Sequence, residues 1–136
     1  MFKVCTVFIA TLFLVPIASA DPCEADLPSK AGTVFTGKVK YIVDGDGICV
    51  GTSSDKNTWI EVRLVDFSAP ELSTPEGKLA KKQMKKLAMG KRAQCVTKRG
   101  RTGRTTSWDR VHASCMIEGA SLASLLREAG VPEGGN

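Results

Sequence analysis

Two kinds of periodicity follow one another along this chain in an order that few folds accommodate. Segments in which apolar and polar residues alternate predict β-strands, and apolar residues at every third or fourth position predict helices. Three strands come first, a helix follows, and two more strands precede a second, shorter helix. The strands are predicted over residues 33–43, 48–50, 59–65, 92–98 and 108–116. In the first of them Val39, Tyr41 and Val43 alternate with other residues and are predicted to share one face.

Both predicted helices have recognisable start and stop signals. Ser73 and Glu76 have the spacing of a capping box, Pro75 suits the first turn, and Gly90 is placed to end the helix. The apolar stripe of this helix consists of Ala80, Met84, Leu87 and Ala88. Ser121 is predicted to cap the second helix, and Gly130 lies just beyond its end.

This order of elements predicts a mainly β, α+β fold: a five-stranded Greek-key barrel of the OB type with two flanking helices. At 136 residues the chain is long enough for one such domain and too short for two. We divide it into a signal peptide (1–20), an N-terminal leader (21–32), the barrel domain (33–131) and a tail (132–136).

The first twenty residues have the composition of a signal peptide. Lys3 precedes an apolar run over residues 4–17, and Ala18-Ser19-Ala20 offers the small residues that a signal peptidase accepts. The run is shorter than the roughly 20 residues that a membrane-spanning helix needs. We expect cleavage after Ala20, no membrane anchor afterwards, and a periplasmic or secreted protein.

Four cysteines follow the predicted signal peptide, an even number that suits disulfides in an oxidising compartment. They allow three pairings. We favour Cys95–Cys115, on successive predicted strands, and Cys23–Cys49, which would attach the leader to the barrel. A zinc site is the alternative, but the chain has one histidine and no C-x-x-C pair.

The chain carries a net charge of +5, and removal of residues 1–20 would leave +4. The basic residues concentrate between residues 78 and 110, which favours a polyanionic partner such as nucleic acid. For five of them we favour an ordinary solvated helix face as the explanation: Lys78, Lys81, Lys82, Lys85 and Lys86.

Acids and arginines occur in three separated blocks: V-D-G-D at residues 43–46, V-R-L at 62–64 leading to A-P-E at 69–71, and D-R at 109–110. Carboxylates hold hard cations and guanidiniums bind phosphate oxygens, so together the blocks predict metal-assisted phosphodiester hydrolysis. Taken singly, they also suit a hairpin turn and ordinary ion pairs.

The order and spacing of these blocks resemble the staphylococcal nuclease-like, or thermonuclease, family. The resemblance implies that Asp46 and the backbone carbonyl of Ala69 bind Ca²⁺. It also implies that Arg63 and Arg110 bind the scissile phosphate and stabilise its added charge. Glu71 matches the carboxylate that acts on the attacking water.

The resemblance extends over residues 35–130 and has one informative departure at Ser68. The family carries an aspartate there, directly before A-P-E, as the second carboxylate of the calcium site. A neutral hydroxyl is a poorer ligand for a hard cation, so this metal position should bind calcium more weakly. Asp66 is a poor substitute, because residues two apart in extended chain are separated by about 6.6 Å. We expect a weaker metal site or a domain that has lost catalysis.

Two further residues lie near the second arginine. Trp108 would either stack on a nucleic-acid base or pack in the core at a strand start. His112 shares strand parity with Arg110, and we predict an exposed or structural role for it rather than a catalytic one.

Two classes of function follow. The first is an exported, calcium-dependent endonuclease, a monomer that hydrolyses DNA or RNA with little sequence specificity, because phosphate contacts carry no sequence information. The second is a catalytically weakened or inactive OB module that binds nucleic acid or another polyanion. The retained Arg63, Glu71 and Arg110 favour the enzyme, whereas Ser68 favours the binding module.

Overall fold

The computed structural model describes residues 21–134, so the predicted signal peptide lies outside the described residues. The strands are β1 (Val34–Asp44), β2 (Gly47–Gly51), β3 (Ile60–Leu64), β4 (Arg92–Thr97), β5 (Thr106–Ser107), β6 (Arg110–Ile117) and β7 (Ala120–Ser121). The helices are α1 (Pro75–Ala88) and α2 (Leu122–Glu128), and a short 3₁₀ turn covers Lys56–Thr58.

Five of these strands close into a barrel. Antiparallel pairs join β1 to β2 and to β4, β2 to β3, and β4 to β6. A parallel pair between β3 and β6 closes the ring, while the two short strands β5 and β7 each extend from β6. The predicted class, an α+β barrel of the OB type with two helices, is confirmed.

The long strand β1 bends so that its two halves serve different neighbours. Its register with β2 shifts between Val39 and Tyr41 and again between Ile42 and Asp44. An extra residue at such a bulge changes which side chains face inward. The prediction that Val39 and Tyr41 share one face with Val43 is therefore wrong, because Ile42 is buried whereas Tyr41 is 38% exposed.

The core fills the barrel and continues under the helices. Ile48, Val62, Leu64 and Val111 are inward-facing strand residues that are completely or almost completely buried. Along α1 the apolar stripe is largely as predicted, with Ala80, Met84 and Ala88 buried and Leu87 packed against them. Burial of this stripe holds α1 against the barrel.

The start of α1 differs from its prediction. Thr74, not Ser73, is the N-cap, and its hydroxyl accepts a hydrogen bond from the Gly77 amide at 3.0 Å. The capping box with Glu76 is therefore wrong by one residue. Ser121 caps α2 as predicted, accepting a hydrogen bond from the Ser124 amide.

The fifth predicted strand also begins later than residue 108. Ser107 pairs with Arg110, so Trp108 and Asp109 form the tip of a β5–β6 hairpin. Trp108 has a φ of 56° and is 95% exposed, which rules out the core-packing role. A large apolar side chain held in solvent at a turn remains available for stacking.

Both predicted disulfides are present. Cys95–Cys115 joins directly paired residues of β4 and β6, and Cys23–Cys49 attaches the N-terminal arm to β2. In the chain-entropy account, each disulfide stabilises the fold by about 3 kcal/mol, because it closes a loop in the unfolded chain. Among the described residues, no helix has the length and apolar character needed to cross a membrane.

Candidate active site

A cleft of about 180 Å³ opens where the β1–β2 turn, the end of β3 and the start of β6 come together. Strand register explains the convergence, because Arg63 lies opposite Gly47 on one side and His112 on the other. The residues that line the cleft are Asp44, Asp46, Arg63, Ala69, Pro70, Glu71, Leu72 and Arg110. The structure thus brings together the predicted aspartate, glutamate and both arginines.

Asp46 is nearly buried at 6% exposure and is held by two partners. Its Oδ2 lies 3.3 Å from an Arg63 nitrogen and accepts a hydrogen bond from the Ala69 amide at 2.8 Å. Burial and then the neighbouring Asp44 raise the pKa of Asp46 to about 7, with Arg63 acting in the opposite direction. The charge of Asp44 thus opposes ionisation of Asp46 more than Arg63 favours it.

Gly45 allows this turn to sit close to the rest of the domain. A Cβ at Gly45 would lie 2.6 Å from the Cβ atoms of both Ala69 and Ala80. The carbonyl of Asp46 also accepts a hydrogen bond from the Leu64 amide at 2.9 Å. Any side chain at position 45 would therefore push Asp46 away from the end of β3.

Arg63 is heavily engaged by its own loop. One terminal nitrogen donates to the carbonyls of Leu64 and Phe67, and the other donates to the Ser68 hydroxyl at 3.2 Å and faces Asp46. These contacts occupy both terminal nitrogens of the guanidinium. They fix its orientation, and Arg63 must exchange partners before it can bind a phosphate with its paired N–H groups.

The other predicted metal ligands, Ser68 and Ala69, are engaged by neighbouring residues. The Ser68 hydroxyl serves Arg63, and Ser68 lines a neighbouring pocket rather than the cleft. Ala69 lines the cleft and turns its amide to Asp46, while its carbonyl oxygen would be 2.8 Å from a Cβ at Gly134. The C-terminal segment thus packs over this loop, and the Gly134 amide donates to the Ser68 carbonyl at 2.8 Å.

Glu71 presents an exposed side chain to the cleft on a fixed backbone. Its carbonyl accepts hydrogen bonds from the amide and the hydroxyl of Thr74. A Cβ at Gly77 would come within 1.9 Å of that same carbonyl oxygen, so the first turn of α1 packs directly on Glu71. The chain holds the position of this carboxylate while leaving it open to water.

A larger pocket of about 530 Å³ adjoins the cleft and shares Arg63 and Arg110 with it. It adds Arg99 and Arg101 from the loop after β4, within the stretch where the sequence concentrates basic residues. That loop is a defined turn, since the Gly100 amide donates to the Arg104 carbonyl at 2.7 Å. Four arginines in one concavity suit an anionic ligand.

His112 is a half-buried member of this pocket with both ring nitrogens in use. Nδ1 lies 3.1 Å from the Arg104 carbonyl and Nε2 lies 2.8 Å from the Ser107 hydroxyl. A carbonyl only accepts, so Nδ1 donates to Arg104, while Nε2 pairs with the Ser107 hydroxyl. Its contacts tie the basic loop to β6, in agreement with the predicted structural role.

Compared with known families and with curated proteins, the sequence matches no family model and no curated protein. The class of this protein therefore rests on its fold and its cleft. It is an OB-type barrel in which a cleft lined by acids and arginines lies beside a basic pocket.

Proposed function

We propose that the protein is a calcium-dependent phosphodiesterase that hydrolyses DNA or RNA as an endonuclease with little sequence specificity. The convergence of Asp46, Arg63, Glu71 and Arg110 on one cleft carries this proposal. The resemblance of the three sequence blocks to the staphylococcal nuclease-like family supports it. Phosphate and cation contacts suffice for such a reaction, whereas base contacts would be needed for sequence preference.

The donor set of the cleft suits a hard cation. Asp44 and Asp46 both line it, and burial, followed by the charge of Asp44, raises the pKa of Asp46. These two carboxylates would hold Ca²⁺, weakly, because Ser68 contributes to the adjacent pocket instead. The ion would supply positive charge for the phosphate and help to position and acidify water.

The side chains of the cleft have separate tasks in the proposed reaction. Glu71 accepts a proton from the attacking water, which adds to phosphorus as the P–O bond opposite it breaks, and the leaving oxygen takes a proton from solvent. The added negative charge of the phosphorane is stabilised by Arg110 and by Arg63. For Arg63 this requires release of part of its loop contacts, so binding of the phosphate and rearrangement of that loop are coupled.

The proposed enzyme acts after export, as a monomer in the periplasm or outside the cell. Two disulfides support an oxidising compartment. Mass spectrometry of the protein purified from the extracellular or periplasmic fraction should give an N-terminus at Asp21. A protein that keeps residues 1–20 would contradict export by signal cleavage.

The second candidate is a binding module that does not cleave. The specific observation in its favour is the engagement of Arg63 by the Leu64 and Phe67 carbonyls, together with the placement of Ser68 outside the cleft. In that case the 530 Å³ basic pocket would hold nucleic acid or another polyanion without reaction.

Cleavage and binding assays distinguish the two candidate functions. They use supercoiled plasmid and a single-stranded RNA, each with calcium or with a chelator. The enzyme should cleave only with calcium, and Glu71→Gln should lower the rate by about two orders of magnitude, as for loss of one group acting in the transition state. Glu76→Gln, an exposed acid five residues away on α1, is the matched control and should retain activity. Binding without cleavage would establish the module, and neither binding nor cleavage would overturn both candidates.

A further inference from the structure

Three carboxylates from distant parts of the chain meet outside the cleft. Asp21 comes from the N-terminal arm, Glu61 from β3, and Asp109 from the tip of the β5–β6 hairpin. One oxygen of each lies within 4.8 Å of one oxygen of both others. We call these three residues the acidic cluster. Of its members, the sequence singled out only Asp109, and that as a neighbour of Arg110.

The burial of Glu61 results from the disulfide-tethered arm. Val62 and Leu64 point into the barrel, so Glu61 points outward, at a position paired with Cys49. Cys49 is bonded to Cys23, and the Ala25 amide donates to the Trp59 carbonyl at 3.0 Å, which lays the arm beside β3. An outward carboxylate that would otherwise be solvated is thereby left 2% exposed.

Arg110 is the cationic side chain that acts on Glu61, but no ion pair between described residues joins it to the acidic cluster. Oε2 of Glu61 is buried and accepts no hydrogen bond from the described residues. The ion pairs between residues of the described part of the chain are Arg63–Asp46 and Arg127–Glu133, neither of which reaches the cluster. An unpartnered buried carboxylate is costly, and a site of this kind needs a positive ligand or a proton.

A bound cation would neutralise the acidic cluster without a large movement of its oxygens. Oxygens that ligate Ca²⁺ lie about 2.3–2.6 Å from the ion, so ligands on opposite sides are about 5 Å apart, which accommodates the separations in the cluster. Exposed Asp109 and half-buried Asp21 leave one side open for water ligands and for entry of the ion.

We propose that Asp21, Glu61 and Asp109 form a second divalent-cation site, separate from the cleft, that takes a calcium-sized hard cation. Its occupation joins the N-terminal arm, β3 and the β5–β6 hairpin. Because Asp109 directly precedes Arg110, the ion fixes the turn from which Arg110 enters the cleft. The site does not depend on the proposed nuclease activity.

Terbium luminescence tests this site directly, since Tb³⁺ replaces Ca²⁺ and is sensitised by nearby tryptophan. Trp59 is two residues from Glu61, and Trp108 is adjacent to Asp109. The titration uses purified protein with Asp46→Asn, which removes the buried acid of the cleft. Tb³⁺ should still bind, and Ca²⁺ should displace it.

In that background Glu61→Gln or Asp109→Asn should weaken Tb³⁺ binding at least tenfold, whereas Glu118→Gln, an exposed acid on another turn, should not. Calcium should raise the Tm of the Asp46→Asn protein and fail to do so when Glu61→Gln is added. Asp109 is exposed at a turn, so its variant keeps the test valid if Glu61→Gln folds poorly. Unchanged binding in both variants, or a signal abolished by Asp46→Asn alone, would overturn the site.

Discussion

Ser68 stands where the family resemblance implies an aspartate, and its hydroxyl has a different task in this fold. It accepts a hydrogen bond from Arg63, whose other contacts are to the Leu64 and Phe67 carbonyls and to Asp46. A neutral acceptor leaves Asp46 as the carboxylate that neutralises this guanidinium. Asp46 then has less charge to offer a metal ion.

Substitution Ser68→Asp should strengthen calcium binding at the cleft about tenfold, which corresponds to about 1.4 kcal/mol. The added carboxylate would pair with Arg63 and release Asp46 toward the cation. Calorimetric titration of the Glu61→Gln protein, in which only the cleft is expected to bind, measures this change. Ser68→Asn, which adds similar volume without charge, is the control, and equal affinities for Asp and Asn would contradict this account.

Glu61 gives the metal-free protein a distinctive dependence of stability on pH. Burial, followed by Asp21, raises the pKa of Glu61 from 4.5 to about 8. Between these values the folded state holds a proton that the unfolded chain has lost, so the free energy of unfolding falls as pH rises. Asp46, with a pKa of about 7, acts in the same direction from pH 3.8 upward.

In chelator, denaturant unfolding of the wild type should therefore show decreasing stability between about pH 4.5 and pH 8. Glu61→Gln should abolish the decrease beyond pH 7 and roughly halve the slope below it, while Asp46→Asn should halve the slope below pH 7 and leave the decrease beyond it. A wild-type stability that rises across this range would mean that the two acids are ionised in the fold.

At the level of secondary-structure elements, the two disulfides stabilise different kinds of contact. Cys95–Cys115 links two strands that already pair, whereas Cys23–Cys49 holds an arm whose described backbone contacts to the rest of the domain include the Ala25–Trp59 hydrogen bond. The arm in turn covers Glu61 and supplies Asp21 to the acidic cluster. Loss of the two bridges should consequently differ in effect.

Replacement of Cys23 and Cys49 together by serine should destabilise the domain by about 3 kcal/mol and also weaken terbium binding at the acidic cluster. Replacement of Cys95 and Cys115 by serine should cost a similar amount of stability but leave that binding within a factor of about two, since the cluster lies elsewhere. Chemical denaturation and terbium titration give both quantities. Equal losses of terbium affinity in the two variants would argue against a role for the arm in the site.

The C-terminal segment contacts the loop that follows β3. Arg127 of α2 donates to the Asp66 carbonyl and forms an ion pair of 2.8 Å with Glu133, and Gly134 reaches the Ser68 carbonyl. The described part of the predicted tail is thus packed on the loop that leads to Glu71. The C-terminal segment therefore helps to hold in place the loop that lines the cleft.

For the whole molecule, the distribution of charge matters more than the net value of +5. The basic pocket collects arginines beside the cleft, while α1 carries exposed lysines such as Lys82 near Leu79 and Gln83, away from it. If the proposed nucleic-acid substrate binds in this adjoining pocket, each phosphate contact there would release counterions.

Oligonucleotide affinity should fall steeply with salt, and Arg99→Ala should reduce the slope of log K against log salt concentration by about one. The charge-matched control, Lys81→Ala on α1, should leave the slope unchanged. Fluorescence anisotropy of an uncleavable oligonucleotide at several salt concentrations measures both. A slope that responds to Lys81 and not to Arg99 would move the binding surface to α1.

The sequence by itself determined the order of the five barrel strands and the two helices, the N-cap at Ser121 and the end of α2 before Gly130, because alternation and turn residues are local properties of the chain. It left three cysteine pairings open, and the favoured one is present. It also indicated which residues line the cleft, since Asp46, Arg63, Glu71 and Arg110 each sit at the end of a strand or in the loop beyond it. Tertiary structure alone decided the bulges that exposed Tyr41, the engagement of Ser68 by Arg63, and the burial of Glu61. Each of these depends on what a distant segment places beside the residue, and no local pattern encodes that.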